Sequence, residues 1–465
     1  MSENQLSPHL IPLDHESGRA IIAIAQDVAA AGGRALVVGG AVRDALLGAV
    51  SKDLDLEVFG VPADQLEALL AAKYRIDQVG RSFGVFIVKG LGIDVALPRR
   101  ERKSGQGHKA FTVEGDPEMT FAEAAARRDF TLNAISWDPL NGEIIDPAHG
   151  QRDLAEGVLR HVSHQFAEDP LRVLRAMQFL ARFELTIAPE TLALCQSIEA
   201  EDLPRERLFE EWSKLILKGK KPSVGLHFLR DCGWIRYYPE LLALPDCPQD
   251  PQWHPEGNVW LHTLHCMDAF ARERIGDDWE DLVVGFAVLL HDIGKPATTF
   301  TDENGRVRSP AHDVVGLPIA ETFLRRLTAH RELIDQVLPL IETHMRPADF
   351  YKNNASHAAI RRLANRVGRI DRLLRVATAD MAGRPPKAAD FPAGEWLRQK
   401  AEELAVQDSV PRPLVQGRDL IELGLKPGKS FKAILDTCFE AQLDGEFATL
   451  EDGITFARKV IAGEN

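Results

Sequence analysis

The sequence predicts an α+β protein, with a mixed α/β head followed by a nearly all-helical remainder, and three observations predict it. Short apolar runs punctuated by glycine dominate the first 160 residues, and helical apolar periodicity dominates the rest. At 465 residues the chain also exceeds what one hydrophobic core holds, so several units are expected. In order, IIAIAQDVAAA (21–31) has helical spacing and stops at Gly32-Gly33, RALVVGG is a buried strand entering a glycine turn, and AVRDALLG starts a helix there. SKDLDLEVFG alternates strictly, which puts Asp53, Asp55 and Glu57 on one strand face and Leu54, Leu56 and Val58 on the other. FGVFIVKG and GIDVALP read as further strands, and Asp94 falls on the polar face of the second. The polar, basic stretch 99–113 (Arg99, Arg100, Arg102, Lys103, Lys109) reads as a loop, mobile or simply solvated. From DPLRVLRAMQFLARF and RERLFEEWSKLILKG onward the patterns are long helices, with Pro-rich seams expected at 244–257 and 381–394.

Composition narrows the function classes. Hydrophobic residues at 45% and charged residues at 27% fit a soluble globular chain. No apolar run approaches the roughly 18 residues of a membrane span, and the first residues lack a signal peptide's basic and apolar regions, so a cytoplasmic protein without a membrane partner is expected. The cysteines Cys195, Cys232, Cys247, Cys266 and Cys438 form no C-x-x-C pair, which speaks against a zinc ribbon or a disulfide framework. A net charge of −14 counts against a nucleic-acid partner, so local charge must carry any such case. Basic runs at 214–222 and 360–375 either contact phosphates or are solvated helix faces.

Two constellations carry chemistry. Gly39-Gly40, between strand and helix, lets backbone N–H groups approach a phosphate, and Arg43 lies one turn inside. Asp53 and Asp55 at spacing two can converge on a hard cation that neutralises a triphosphate. Farther on, His262, His291-Asp292 and Asp380 stand within or at the ends of apolar helical patterns. Imidazoles and carboxylates from separate helices suit a divalent transition metal, and an unpaired buried Asp292 would be costly.

GGAVRDALLGAVSKDLDLEVFG (39–60) resembles the active-site motif of polymerase-β-like nucleotidyltransferases, in their tRNA nucleotidyltransferase and bacterial poly(A) polymerase form. The resemblance continues in order through ERKSGQGHKAF (101–111), RRDFTLNAIS (127–136), IIDPAHGQRDLAEGVLRHV (144–162), EDPLRVLRAMQFLARF (168–183) and PRERLFEEWSKLIL (204–217). The order H…HD…D resembles the HD-domain metal phosphohydrolases, in the position that bacterial CCA-adding enzymes give that domain, and VQGRDLIELGLKPGKSFKAILD (415–436) resembles the tail of the same enzymes.

The resemblance implies a lead at 1–30, a nucleotidyltransferase head at 31–160, a helical neck and body at 161–245, an HD domain at 246–385 and a helical tail at 386–465. It implies Mg²⁺ at Asp53 and Asp55, with Asp94 as a third carboxylate or a structural residue. Gly39, Gly40 and Arg43 would hold the triphosphate, and Arg128, Asp129 and Asn133 the sugar and phosphates. Asp169 and Arg172 would read the edge of CTP or ATP, with Arg175 near the phosphates. A planar carboxylate and guanidinium can read a base edge in this way. His262, His291, Asp292 and Asp380 would bind a transition metal, while His312 and His344 would complete a second metal or bind phosphate. The activity implied is untemplated addition of CCA to tRNA, with CC-only, A-only or poly(A) addition as narrower forms; an HD phosphohydrolase is the reading from another class. Gln178 stands where many relatives carry arginine.

Overall fold

Ile21, Ile24, Ala25 and Val28 recur at helical spacing, and the helix Glu16–Ala30 buries all four, with His15 accepting from the Gly18 N–H at its start. The computed structural model describes residues 15–50, 53–78, 84–103, 111–200, 203–385 and 390–463. These form two units, one of residues 1–212 with 224–237, the other of 213–223 with 238–465.

In the first unit β1 (Arg34–Val38), β2 (Leu54–Phe59), β3 (Ile76–Gln78), β4 (Val85–Val88), β5 (Ile93–Ala96), β8 (Ser136–Trp137) and β9 (Ile144–Ile145) form one sheet, ordered β3-β4-β5-β2-β1-β8-β9. Only β2 and β5 run parallel, and their register sets Asp55 beside Asp94. Leu54, Leu56 and Val58 are buried while Asp55 is exposed, so the alternation in the sequence is the alternation of the strand. The strand starts at Leu54, which leaves Asp53 one residue ahead of it rather than within it.

The expected loop 99–113 is corrected in part. Arg99–Lys103 (β6) and Phe111–Gly115 (β7) pair as an antiparallel ribbon, anchored by Arg100 on Asp116. Lys109 and the side chains of Arg102 and Lys103 lie outside the described residues. Helices dominate beyond residue 160, interrupted by two short strand pairs, Val158–Leu159 with Thr186–Ile187 and Phe300–Thr301 with Val307–Arg308.

The second unit is organised by the helix Asp278–Leu290, buried at every position from Glu280 to Leu290. A helix apolar all round belongs in a core. Gly285 on it lets Phe270 and Ile216 pack where a Cβ would collide. Around it lie Val259–Arg272, Arg331–Thr343 and Ile370–Ala382. Lys429–Asp444 and Leu450–Ala462 close over a small cluster of Val415, Leu420, Cys438, Phe447 and Ala457. All five cysteines are buried and unpaired, and burial pushes their thiols up, that of Cys232 to about 12. Among the described residues, no helix is long and apolar enough to cross a membrane.

Candidate active site and metal centre

In the first unit Gly39 caps the helix Gly40–Leu46 at a φ of 71°, a conformation that L side chains rarely adopt. A Cβ there would stand 3.4 Å from Arg128 Nη1 and 3.6 Å from Asp55 Oδ2, so the turn, the guanidinium and the carboxylate meet at one place. Arg128 also donates to Glu57 at 3.2 Å. Withdrawal from water pushes the Asp55 carboxyl up although its side chain keeps surface exposure, and Asp94, Asp53 and Glu57 push in the same direction against Arg128. Carboxylates crowded in this way suit a divalent cation with oxygen ligands, which relieves their repulsion.

Behind that edge lies a buried polar chain. Asp129, 8% exposed, accepts from Asn133 (2.9 Å), from the Phe130 N–H (2.8 Å) and from Arg175 (2.7 Å). Burial alone would raise its carboxyl; Arg175 and Asn133 hold it below the usual range. Arg43, 4% exposed, donates to Asn133 at 2.6 Å and to Asp44, with its guanidinium over Phe179 and Phe183 at 5.2 and 4.6 Å. It therefore braces the glycine turn against the helix Leu171–Phe183. Asp129→Ala takes one acceptor each from Arg175, which keeps Glu211 at 3.8 Å, and from Asn133, which keeps Arg43. We expect a loss of about 1–3 kcal/mol, read as an earlier urea transition; a midpoint unchanged from wild type would contradict the network.

Asp169 accepts from the Leu171 N–H (3.1 Å) and from Arg207 (2.7 Å). One turn on, Arg172 donates to the carbonyls of Gln165 (2.9 Å) and Arg127 (2.8 Å). Both stay half-buried, held by neighbours that fix their direction. Gln178 is buried, and its Oε1 has no hydrogen-bond partner.

The second unit gathers every His and Asp singled out in it. His262 comes from Val259–Arg272, His291 and Asp292 from the end of Asp278–Leu290, His312 from the start of His312–Leu327, His344 from the end of Arg331–Thr343, and Asp380 from Ile370–Ala382. His262 Nε2 lies 3.0 Å from Asp380 Oδ1 and 3.3 Å from His291 Nε2, which is 3.3 Å from Asp292 Oδ2. On the other side, Asp292 Oδ1 lies 3.2 Å from His312 Nε2 and 3.9 Å from His344 Nε2. Asp292 thus stands between two half-sites, one oxygen towards each.

The donor set fits metal ions. Asp292 Oδ2 is buried and forms an ion pair with Lys295 Nζ at 2.7 Å, which also donates to Gln249. Burial would raise Asp292, but His291 and Lys295 hold it well below the carboxylate range. Burial and His291 push His344 down to about 4, whereas Cys266 and Asp380 push His262 up and Asp292 pushes His312 up, both against burial. His291, His312 and His344 each turn Nδ1 to the carbonyl three residues back, at 2.7–2.8 Å, which frees Nε2.

Sequence reasoning missed several neighbours. Cys266 Sγ lies 3.4 Å from His262 Nε2, and Arg384 donates to Asp380 at 2.6 Å. A cavity of about 280 Å³ opens on the cluster, lined in part by Trp253, His254, Lys295 and Arg384. Trp253 and His254 come from 244–257, the stretch expected to be a seam. The visible signal was HPEG, His254 to Gly257, a His and a Glu inside a Pro-rich run ahead of an apolar helix.

Residues 35–160 match the family of the poly A polymerase head domain, residues 184–244 the probable RNA and SrmB binding site of polymerase A, and residues 260–377 the HD domain. Among solved structures, the chain is similar to the Bacillus stearothermophilus CCA-adding enzyme in complex with CTP (22% identity, 97% of this chain and 99% of that one, TM-score 0.64). It is similar also to the Thermotoga maritima CCA-adding enzyme complexed with tRNA (21% identity, 96% of each chain, TM-score 0.58). A CCA-adding enzyme in complex with ATP matches at 20% identity over 96% of this chain and 95% of that one, TM-score 0.61. At these identities the likeness establishes the fold.

Proposed function

Because the chain joins a poly A polymerase head domain to an HD domain on the fold of the CCA-adding enzymes, we infer that it is a cytosolic tRNA nucleotidyltransferase that completes 3′-CCA from CTP and ATP and releases pyrophosphate. The observation that carries this reading is the meeting of Asp55, Asp94 and Arg128 at the Gly39 turn. Asp53 and Asp55, with Asp94 as third carboxylate, would hold Mg²⁺, which would supply charge neutralisation for the triphosphate and the departing pyrophosphate. The Gly39-Gly40 backbone and Arg128 bind the phosphates; Asp129 and Asn133, fixed by Arg43 and Arg175, form the wall for the sugar.

Asp169 and Arg172 select the base. Arg172→Ala should reduce the preference for CTP and ATP over GTP and UTP by about 10- to 100-fold, the scale of one lost bidentate contact. Competition assays read this, and unchanged selectivity removes the templating role. The reading as a whole is tested by incubating tRNA that lacks its CCA end with Mg²⁺ and CTP, ATP or both. Two C additions followed by one A support it; C alone, A alone or a long A ladder selects a narrower member of the class, and no extension removes it.

A second activity is favoured by the His/Asp cluster. With divalent transition-metal ions held by His262, His291, Asp292 and Asp380 and by His312 and His344, the HD domain would hydrolyse phosphate esters at RNA ends, including 2′,3′-cyclic phosphates. Lys295 and Arg384 at the cavity offer positive charge to the phosphate.

A further inference from the structure

Glu256, the acid of the HPEG run, has been given no role so far, yet its side chain is fully buried and touches the metal centre from behind. Its Oε1 is 2.8 Å from His262 Nδ1 and 2.8 Å from His254 Nδ1, while its Oε2 is buried without a hydrogen-bond partner.

The other three imidazoles are oriented by the helix that carries them, each through a carbonyl three residues back. His262 differs: its Nδ1 meets the distant carbonyl of Gly383 at 3.2 Å and Glu256 at the shorter 2.8 Å. The hydrogen bond of Nδ1 goes to the Gly383 carbonyl, and the closer carboxylate attracts the same N–H by its charge, so both acceptors favour the proton on Nδ1.

We propose that Glu256 is the positioning carboxylate of this centre: it fixes His262 with the proton on Nδ1 and the Nε2 lone pair towards the cation, and it ties that ligand to His254 in the cavity wall. His254, Glu256 and His262 lie close enough together to suggest a third metal group, but a cation there would have to strip the His262 Nδ1 proton while Nε2 serves the neighbouring half-site. The trio is a support. A carboxylate behind a ligand imidazole raises its basicity and holds its ring, and losing such a partner lowers metal affinity by about 10- to 100-fold.

The inference rests on the metal-binding reading of the HD cluster and is tested by binding rather than turnover. Full-length protein carrying Asp55→Ala, which removes the competing site in the head, is stripped with EDTA and titrated with Mn²⁺ by calorimetry, with bound metal counted per chain. Adding Glu256→Gln should weaken binding by about 10- to 100-fold at unchanged stoichiometry, and Glu256→Asp, which keeps the charge, should recover part of the loss. Unchanged affinity overturns the proposal, and loss of one whole ion with the rest bound as before shows a third metal site instead. If the chain with Glu256 intact binds no Mn²⁺, the metal reading falls and the proposal with it. A measurement on unsubstituted protein guards against misfolding: with diamagnetic Zn²⁺ bound, long-range ¹H–¹⁵N spectra should show His262 protonated at Nδ1. A proton on Nε2 overturns the assignment.

Discussion

Replacing Asp55 with alanine is expected to reduce nucleotide addition by about 10³-fold or more, the scale of removing a principal electrostatic stabiliser of a transition state. Phosphoryl transfer is mostly positioning and charge neutralisation, so little is left once a metal carboxylate has gone. Single-turnover extension of tRNA lacking CCA measures the effect, and residual activity within tenfold of wild type would contradict the assignment. The same change should leave any hydrolysis by the HD domain intact.

Stability should move the other way. Burial and the neighbouring carboxylates raise the Asp55 carboxyl in the folded chain above its ordinary 3.8. An acid raised on folding carries a penalty that is present above its folded-state pKa and is relieved as pH falls through that value. In EDTA at neutral pH, Asp55→Ala should therefore melt no lower than wild type, with any advantage fading as the buffer is acidified.

The second large effect is expected at Asp292. One oxygen faces His291 and the other faces His312 and His344. Asp292→Ala should therefore empty both half-sites and abolish phosphate-ester hydrolysis, about 10³-fold or more, while tRNA extension continues. His344→Ala touches one half-site and should lower bound metal by less. Metal counts per chain separate the two; an Asp292→Ala protein that keeps its full complement would show that the carboxylate is not shared.

The parts legible in the sequence were those whose signal is local. Alternation around Asp55 is a property of a single strand, and the strand shows it residue by residue. The glycine turn and the helix starts were equally visible. What the sequence could not show was direction. Arg43 lies one turn into a helix that opens on a glycine turn, a position that suits a phosphate contact, but its guanidinium turns inward because Asn133, 90 residues away, and two phenylalanines receive it. Glu256 and Cys266 escaped notice for the same reason. Each acquires meaning only from His262 and from Asp380, 118 residues beyond His262. The ribbon at Arg99–Lys103 was read as a loop because its charged residues mask the pairing that its partner strand supplies.

The burial of all five cysteines has a practical side. Thiols raised by burial hold almost no thiolate at neutral pH and present no surface to a reagent. The native chain is thus close to silent towards maleimides. A cysteine placed at exposed Ser430, in the tail helix Lys429–Asp444, would be a single addressable handle. A fluorophore attached there could follow RNA arriving and leaving, one molecule at a time, without removing any native sulfur.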